Sequence, residues 1–398
     1  MHFSILPMII LLIVNLLVDY YIYRAMNQRL PGRRWVKPVA TLSSAIGVLL
    51  LAAILILPTR GRSDSTFLTL QWLMFTFFTL YIPKYLFCIV DLLSHIPQLF
   101  RRKRFRPLSW VAMTLAAAAF IAMWWGALVN RFRINVEEVS VAISTLPESF
   151  EGFRIAQISD LHLGSYGNDT TFISRLTDVI NSQNPDIIVF TGDIVNRHAD
   201  EIKPFLPVLA RFHAPDGEYA ILGNHDYADY YFDSQHEREA DRVKLRDYYR
   251  QTAFQLLNDE YVKIRRGNDS IVLIGVQDIG EPPFPVYGSL SKAYPTPDDN
   301  VTKILLSHDP AHWLDSIAGH RDVNIALTLS GHTHSAQMKI GRISPAAIFH
   351  NRAWAGLYTD ADSTQQLYIN IGIGTVGIPM RLGATPQVTL FTLRRRQP

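Results

Sequence analysis

The first third of the chain carries long runs of apolar residues, whereas the remainder alternates short apolar runs with polar turns. Four runs reach the roughly 20 residues that a helix needs to cross the core of a bilayer. They extend over residues 3–23, 38–58, 67–90 and 108–129. A cleaved signal peptide would account for the first run and leave the other three unexplained. The pattern therefore predicts an N-terminal bundle of four transmembrane helices within residues 1–133.

From residue 134 to residue 398 the pattern is that of an α/β domain. Apolar runs bounded by Gly, Asn, Asp and Pro predict strands at residues 153–158, 187–191, 219–222, 271–276, 303–306, 325–329, 366–371 and 387–393. Segments between the earlier strands predict helices over residues 171–182, 201–212 and 238–257. Strands and helices alternate first and strands dominate later, which indicates one α/β domain with a large core.

The net charge of +3 averages two halves of opposite sign. Residues 1–133 hold 15 Lys and Arg against 3 Asp and Glu, and the remaining residues hold 23 against 32. Basic loops tend to stay in the cytoplasm, and residues 24–37 and 101–106 form the two most basic loops, whereas the loop with Arg60 and Arg62 is less basic. We therefore expect the α/β domain on the extracytoplasmic face. Because this domain is acidic, no nucleic-acid partner is expected.

Polar motifs directly follow five of the predicted strands. Ligands of open α/β sheets gather beyond the carboxyl ends of the strands, so we expect the five loops to converge on one edge. Each motif alone also occurs in ordinary turns, but five in succession are not independent turns. They are Asp160-Leu161-His162, Gly192-Asp193, Gly223-Asn224-His225-Asp226, Ser307-His308-Asp309 and Gly331-His332-Thr333-His334.

The residue types in these motifs predict a metal site. Carboxylate oxygens and imidazole nitrogens suit manganese, iron or zinc, and the single cysteine, Cys88, excludes a cysteine-based zinc site and a disulfide framework. Two-metal phosphoester hydrolases hold their ions roughly 3.5 to 4 Å apart and need a ligand that bridges them, which a carboxylate does well.

The ordered set of motifs resembles the calcineurin-like metallophosphoesterase superfamily, whose pattern is D-x-H, G-D, G-N-H-[D/E], H and G-H-x-H. The resemblance implies a two-sheet αββα sandwich and metal-dependent hydrolysis of phosphoric esters. It also implies that His225 is the general acid and that Asp226 orients the His225 imidazole. The implied ligands are Asp160, His162 and His334 for the first metal, Asn224, His308 and His332 for the second, and Asp193 for both.

The C-terminal stretch narrows the resemblance to a bacterial membrane-associated branch of the family. Gly372-Ile373-Gly374-Thr375 and Ile378-Pro379-Met380-Arg381 carry this likeness, and Gln387 stands where the branch has Glu. Two interpretations of Arg381 remain open. Its guanidinium could bind a substrate phosphate, or it could donate to loop carbonyls as a structural arginine. Asp278 and Asp309 also follow strands, and they are candidates for supporting the metal ligands.

Together these features predict a multi-pass protein of the inner cell membrane that hydrolyses phosphoester or pyrophosphate bonds with two divalent ions, Mn²⁺, Fe²⁺/Fe³⁺ or Zn²⁺. Membrane lipids are the expected partners, and anchoring favours a lipid-linked substrate. One alternative resembles the UDP-diacylglucosamine pyrophosphatases and requires a cytoplasmic active site. The other is a non-catalytic sensing or binding module on a membrane bundle.

Asp19 and Lys84 lie inside the predicted spans, where ionised groups are costly. They either form an ion path, or lie near the ends of the spans and reach the headgroups, or pair with each other.

Overall fold

The computed structural model describes residues 5–57, 63–281, 285–295, 300–320, 322–349 and 353–396. The chain forms two compact units. One unit holds the residues up to Val129 together with Gly377–Met380, and the other holds Asn130–Val376 and the residues from Arg381 onward. Arg60 and Arg62, on which part of the orientation argument rests, lie outside the described residues.

Four long apolar helices dominate the first unit. All four are long and apolar enough to cross a membrane, which confirms the four predicted spans. Ser63 begins the third helix by accepting a hydrogen bond from the Thr66 N–H, and Pro107 occupies the first turn of the last helix. The helices of this unit are α1 Ile5–Arg29, α2 Val36–Ile56, α3 Asp64–Leu93, the single turn α4 Ile96–Leu99, and α5 Pro107–Leu128.

Asp19 and Lys84, the charged residues inside the predicted spans, pair with each other. Lys84 Nζ lies 2.6 Å from Asp19 Oδ1, and the Tyr81 hydroxyl donates to the other oxygen of Asp19. Because each charge has an opposite partner, neither faces hydrocarbon alone. Of the interpretations open from the sequence, the structure shows the mutual pair.

Asp91, a buried carboxylate near the end of α3, contacts arginines of the two most basic loops. Arg29, at the end of α1, and Arg104, between α4 and α5, each place a guanidinium nitrogen 2.7 Å from Asp91 Oδ1. Asp91 is completely buried, so both arginines are drawn to one point. The two basic loops therefore lie at the same end of the helical unit.

The second unit contains two six-stranded sheets. The first sheet has the order β1-β12-β2-β3-β4-β5, and the second has the order β10-β11-β9-β8-β7-β6. The strands are β1 Asn135–Ile143, β2 Arg154–Ile158, β3 Ile187–Phe190, β4 Glu218–Ala220, β5 Gln255–Leu256, β6 Glu260–Arg266, β7 Asp269–Gly275, β8 Lys303–Leu306, β9 Leu327–Ser330, β10 Gly356–Thr359, β11 Gln366–Ile369 and β12 Gln387–Arg395.

The middle of each sheet is parallel. Strands β2 to β5 run parallel to one another in the first sheet, as do β7, β8, β9 and β11 in the second. Antiparallel pairs occur where β12 meets β2, where β10 meets β11 and where β6 meets β7. The carboxyl ends of the central parallel strands of each sheet therefore share one edge.

Alternate side chains of the central strands are buried in different layers, which explains their continuous apolar sequences. In β3, Ile187 and Val189 pack in the core between the two sheets, whereas Ile188 and Phe190 pack against the helices on the other face. Trp313 contributes to a third apolar layer on the outer face of the second sheet. The domain is thus the expected αββα sandwich. Its helices are α6 Thr171–Ser182, α7 Leu206–Leu209, α8 Gln235–Tyr249, α9 Leu290–Ala293, α10 Ala311–Ser316 and α11 Ala346–Phe349.

Two predicted helices differ from those observed. In place of a helix over residues 201–212, the chain forms a 3-10 helix, Ala199–Phe205, followed by the single turn α7, because Pro204 and Pro207 interrupt regular hydrogen bonding. The helix predicted over residues 238–257 begins earlier, where Ser234 caps α8, and it ends at Tyr249. Residues 255 and 256 form β5 instead. The sequence pattern also does not predict the strands β1, β6 and β10.

Candidate metal centre

The five motifs converge as the sequence predicts. Strands β2, β3 and β4 of the first sheet and strands β8 and β9 of the second each end no more than three residues before one of the motifs. Because the central strands of each sheet are parallel, the motif loops of one sheet share an edge. The loops of the two sheets meet there, since His308 Nε2 lies 3.2 Å from Asp193 Oδ2 and His334 Nε2 lies 3.2 Å from Asp160 Oδ1.

Asp160, His162 and His334 form the first cluster. The Nε2 atoms of His162 and His334 are 3.0 Å apart, and Asp160 Oδ1 lies 3.2 Å from His334 Nε2. His162 Nδ1 lies 3.1 Å from the Val195 carbonyl oxygen, so Nδ1 carries the proton and Nε2 presents a lone pair to the cluster. The three side chains are buried and offer ligand atoms that could hold one metal ion.

Asn224, His308 and His332 form the second cluster around one amide oxygen. Asn224 Oδ1 lies 3.1 Å from His308 Nε2 and 2.9 Å from His332 Nδ1. His308 Nδ1 is 2.7 Å from the Thr191 carbonyl oxygen, which again leaves Nε2 facing the cluster.

Asp193 lies between the two clusters. Its Oδ2 atom is 3.6 Å from His162 Nε2 and 3.2 Å from His308 Nε2. The Asp160 carboxylate also comes close to the second cluster, since Asp160, Asp193 and His308 offer ligand atoms that could hold one metal ion. The Asp193 carboxylate therefore lies close to imidazoles of both clusters.

The charges in the centre support ionised carboxylates. Burial opposes the ionisation of Asp193, but the charges of His308 and His225 outweigh it and hold the pKa of Asp193 well below its usual range. Burial likewise opposes the ionisation of Asp160, and the charge of His334 outweighs it and lowers the pKa of Asp160. Burial holds the pKa of His162 well below its usual range, so that this imidazole is neutral, as a ligand must be.

Five of the predicted ligands adopt the left-handed backbone conformation, which costs a residue other than glycine about 1 kcal/mol or more. The surrounding loops hold them in place, because the N–H of Asp160 donates to the Gly192 carbonyl and the N–H of His162 donates to the Asp193 carbonyl. The φ angles are 54° for Asp160, 45° for His162, 63° for Asp193, 72° for His332 and 50° for His334. Strain concentrated in this way is typical of functional sites.

Gly331 provides space that the centre needs. A Cβ atom at this position would overlap Ser159 Oγ and the Asp160 carboxylate. Only glycine therefore lets this loop approach Asp160 without moving it.

His225 lies beside the first cluster. Its ring makes an edge contact with the His162 ring at a centroid distance of 4.8 Å and stacks on the Tyr230 ring at 4.5 Å. Its backbone N–H donates to Asp193 Oδ1 at 2.8 Å. The Tyr230 hydroxyl in turn accepts a hydrogen bond from Asn224 Nδ2 at 3.0 Å, so Tyr230 contacts both His225 and a predicted ligand. Sequence reasoning did not single out Tyr230, which lies outside the five motifs.

The expectation that Asp226 orients the His225 imidazole is wrong for this structure. The Asn196 carbonyl oxygen lies 2.7 Å from His225 Nδ1 and orients the ring instead. Asp226 ties the loop after β3 to the loop after β4 by accepting hydrogen bonds from the backbone N–H groups of Asp193, Ile194, Val195 and Gly223. A backbone carbonyl carries no side-chain signal, which is why the sequence could not indicate Asn196.

Arg381 is completely buried behind His334. One of its guanidinium nitrogens lies 3.0 Å from His334 Nδ1. Its remaining donors reach loop carbonyls, at Gly374 (2.6 Å), Ile371 (3.0 Å) and Ala384 (3.1 Å). This geometry matches the structural interpretation of Arg381 rather than the substrate-binding one.

The two further acids follow strands beside the second cluster. Asp309 Oδ2 lies 3.9 Å from His332 Nε2, while its other oxygen accepts from the Ala311 N–H. Asp278 is buried, its Oδ1 has no hydrogen-bond partner within the described part of the chain, and burial raises its pKa to about 7. Asp309 therefore lies near the imidazole of a predicted ligand, at a distance longer than a hydrogen bond. Asp278 is a carboxyl whose burial makes ionisation costly.

Comparison with known families agrees with this geometry. The family described as "Calcineurin-like phosphoesterase" matches residues 153–336, and the family described as "Probable Calcineurin-like phosphoesterase, transmembrane domain" matches residues 3–131. The chain belongs to the calcineurin-like phosphoesterases. It is a membrane protein and a metal-dependent phosphoesterase of that family.

Individual relatives share both the phosphoesterase domain and, in some cases, the membrane association. Metallophosphoesterase YkuE of Bacillus subtilis is 29% identical over 272 residues, which cover 66% of this chain and 86% of that protein. A transmembrane protein with metallophosphoesterase domain from Danio rerio is 28% identical over 290 residues, 71% of this chain and 62% of the relative. The UDP-2,3-diacylglucosamine pyrophosphatase LpxG of Chlamydia trachomatis is 29% identical over 312 residues, 66% of this chain and 91% of the relative.

Proposed function

We propose that the protein hydrolyses a phosphoester or pyrophosphate bond at a pair of divalent metal ions. The observation that carries this proposal is the position of Asp193, whose Oδ2 lies within 3.6 Å of His162 Nε2 and 3.2 Å of His308 Nε2. A carboxylate between two imidazole clusters is the arrangement that two neighbouring ions require. The proposed ligands are Asp160, His162 and His334 for one ion, Asn224, His308 and His332 for the other, and Asp193 for both.

The donor set fits such ions. It consists of carboxylate and amide oxygens and imidazole nitrogens without a thiolate, which suits Mn²⁺, Fe²⁺/Fe³⁺ or Zn²⁺. When bound, the two ions would activate water as a nucleophile and neutralise the negative charge of the phosphoryl group. His162 is prepared for this role, because the Val195 carbonyl oxygen holds the Nδ1 proton of its neutral ring and leaves Nε2 free to bind. Burial opposes the protonation of His308, but the Asp193 carboxylate outweighs it and raises the pKa of His308 well above its usual range, so this ring would release its Nε2 proton on binding an ion.

His225 is the proposed general acid. Since its Nδ1 faces the Asn196 carbonyl oxygen, Nε2 is the atom that gives a proton to the departing oxygen. Tyr230 stacks on one face of the ring and limits its rotation. Asp226 contributes indirectly by fixing the loops that carry Asp193 and His225.

For the substrate we propose a lipid-linked phosphate, phosphodiester or pyrophosphate. A chain held in the membrane by four helices meets lipid-borne substrates at high local concentration, and its acidic domain disfavours nucleic acid. We infer that the catalytic domain lies outside the cytoplasmic membrane. Basic loops tend to stay in the cytoplasm, and the two most basic loops lie together at one end of the helical unit.

A second candidate is a UDP-diacylglucosamine-type pyrophosphatase with a cytoplasmic active site. The similarity to LpxG favours it, since that relative is named for this activity and aligns over 91% of its length. Both candidates use the same metal centre, and they differ in the side of the membrane on which it acts.

Hydrolysis of bis-p-nitrophenyl phosphate by the purified full chain tests the proposal. We expect hydrolysis that depends on added Mn²⁺ and is lost in Asp193→Asn. Hydrolysis that persists unchanged in Asp193→Asn would refute the metal centre as its source.

A further inference from the structure

Three isoleucines near the metal centre are exposed to an unusual degree. Ile340, Ile343 and Ile348 keep 81%, 78% and 79% of their surface accessible. They lie within ten residues of one another, in the stretch that follows the His332-Thr333-His334 motif. Residues 338–348 are referred to below as the isoleucine segment. Large apolar side chains grouped at the surface mark a binding surface more often than chance exposure.

The isoleucine segment has a defined shape. Ile340 and Ile343 exchange two backbone hydrogen bonds, at 2.8 and 3.0 Å, and thereby close a tight hairpin. Gly341 permits the turn with a φ of 59°. The helical turn α11, which carries Ile348, follows directly. The three side chains are therefore held out by a folded structure.

The isoleucine segment is hydrogen-bonded to two neighbouring stretches, one of which carries the predicted ligands His332 and His334. The Lys339 N–H donates to the Leu382 carbonyl at 2.9 Å, and the Ser344 hydroxyl donates to the Ser335 carbonyl at 2.6 Å. Ser335 is the residue directly after His334. A surface that engages the isoleucine segment is thus held close to the metal centre.

The charge of this region is opposite to that of its domain. Residues 335–359 contain no Asp or Glu, whereas residues 134–398 hold 32 acidic against 23 basic side chains. Lys339 directly precedes Ile340, Arg342 directly precedes Ile343, and Arg342 is exposed. Exposed apolar side chains beside basic ones, without acids, match the surface of an anionic bilayer, where the apolar groups enter and the cations meet phosphates.

We propose that the isoleucine segment inserts Ile340, Ile343 and Ile348 into the surface of an anionic bilayer. We favour a bilayer as the binding partner because the four helices keep the chain in a membrane. The basic side chains of Lys339 and Arg342 also complement acidic lipid. Insertion would bring the metal centre close to the phosphoester groups of lipids, a consequence that rests on the proposed function.

Depth measurements test the insertion itself. The full chain carrying Cys88→Ser would be labelled with an environment-sensitive fluorophore at Ile343→Cys and placed in nanodiscs of phosphatidylglycerol and phosphatidylcholine. The control label is at Val243→Cys, on α8, where the native side chain is 49% exposed. We expect brominated lipid to quench the label at 343 and not the label at 243. Quenching of the 343 label by aqueous iodide, with no quenching by brominated lipid, would overturn the proposal.

Activity measurements test its consequence. The double variant Ile340→Ser/Ile343→Ser should hydrolyse soluble bis-p-nitrophenyl phosphate at the rate of the unaltered protein. Its KM for hexadecyl p-nitrophenyl phosphate in anionic vesicles should rise about tenfold, because two inserting side chains are lost. Val243→Ser should change neither value.

Equal loss on both probes would indicate a structural role, and no loss on either would indicate that the segment does not serve the site. Both results contradict the inferred consequence. A chain that hydrolyses neither probe would refute the proposed function, while the quenching experiment would still decide on insertion.

Discussion

The backbone N–H of His225 donates to Asp193 Oδ1 at 2.8 Å, although the two side chains have different proposed tasks. This hydrogen bond comes from the backbone N–H and does not depend on the imidazole, so His225→Ala should retain it. We expect this variant to bind both ions and to lose about 10²- to 10⁴-fold in kcat, the contribution typical of a positioned general acid. Elemental analysis of the purified variant, together with its kcat, checks this. A variant that loses its metal would show that His225 is a ligand.

A substitution at Arg381 distinguishes a structural role of this side chain from contact with substrate phosphate. Lysine cannot reproduce the fork that reaches Gly374, Ile371 and Ala384, so Arg381→Lys should lower the free energy of unfolding by about 2 kcal/mol. The KM for a soluble diester should remain within about twofold of that of the unaltered protein. Thermal unfolding in detergent measures the first quantity and steady-state kinetics the second. An unchanged unfolding midpoint with a tenfold higher KM would instead indicate contact with substrate phosphate.

At the scale of elements, the loop after β9 must approach the loop after β2 closely. Gly331→Ala would place a methyl group against the Asp160 carboxylate. We expect metal affinity to fall about 10- to 100-fold, the range seen when the support of a metal ligand is disturbed.

The control is Gly267→Ala, at a φ of 60° and with no atom near the added methyl group. This change should cost about 1 kcal/mol of stability and leave metal affinity unaltered. Equal metal affinity in the two variants would contradict the proposed role of Gly331.

Elements with a strong local pattern were predictable from the sequence. Helix α6 and strand β8 have the predicted bounds, because one is strongly amphipathic and the other is buried along its whole length. Strand β1 was not predicted, since most of its residues are partly exposed and its alternation is weak. The two-residue strand β5 falls inside a predicted helix, because so short a segment has no period of its own.

The centre was predictable to the extent that side chains define it. The motif residues converge because strand ends in a parallel sheet share an edge, a rule that needs only the order of the elements. Contacts made through the backbone were not predictable. The task of Asp226 depends on four N–H groups brought together by two loops, and the orientation of His225 depends on a carbonyl oxygen.

For the whole molecule, the distribution of charge predicts the side on which catalysis occurs. The basic loops that contain Arg29 and Arg104 lie at one end of the helical unit, and four spans return the chain to the side on which it entered. Alkaline phosphatase fused to the C-terminus should therefore be active in a bacterial host, since that enzyme requires an extracytoplasmic location. A silent fusion, with a cytoplasmic reporter active at the same position, would support the UDP-diacylglucosamine-type alternative.

The central claim is that one carboxylate, Asp193, joins two metal ions in a hydrolytic centre. The most direct test counts the ions bound per chain when Mn²⁺ is added to chelator-treated protein, while hydrolysis of bis-p-nitrophenyl phosphate is followed in the same sample. We predict that two ions bind, that activity appears with the second, and that Asp193→Asn binds fewer and remains inactive. Full activity with a single ion bound, or two ions retained in Asp193→Asn, would contradict the claim.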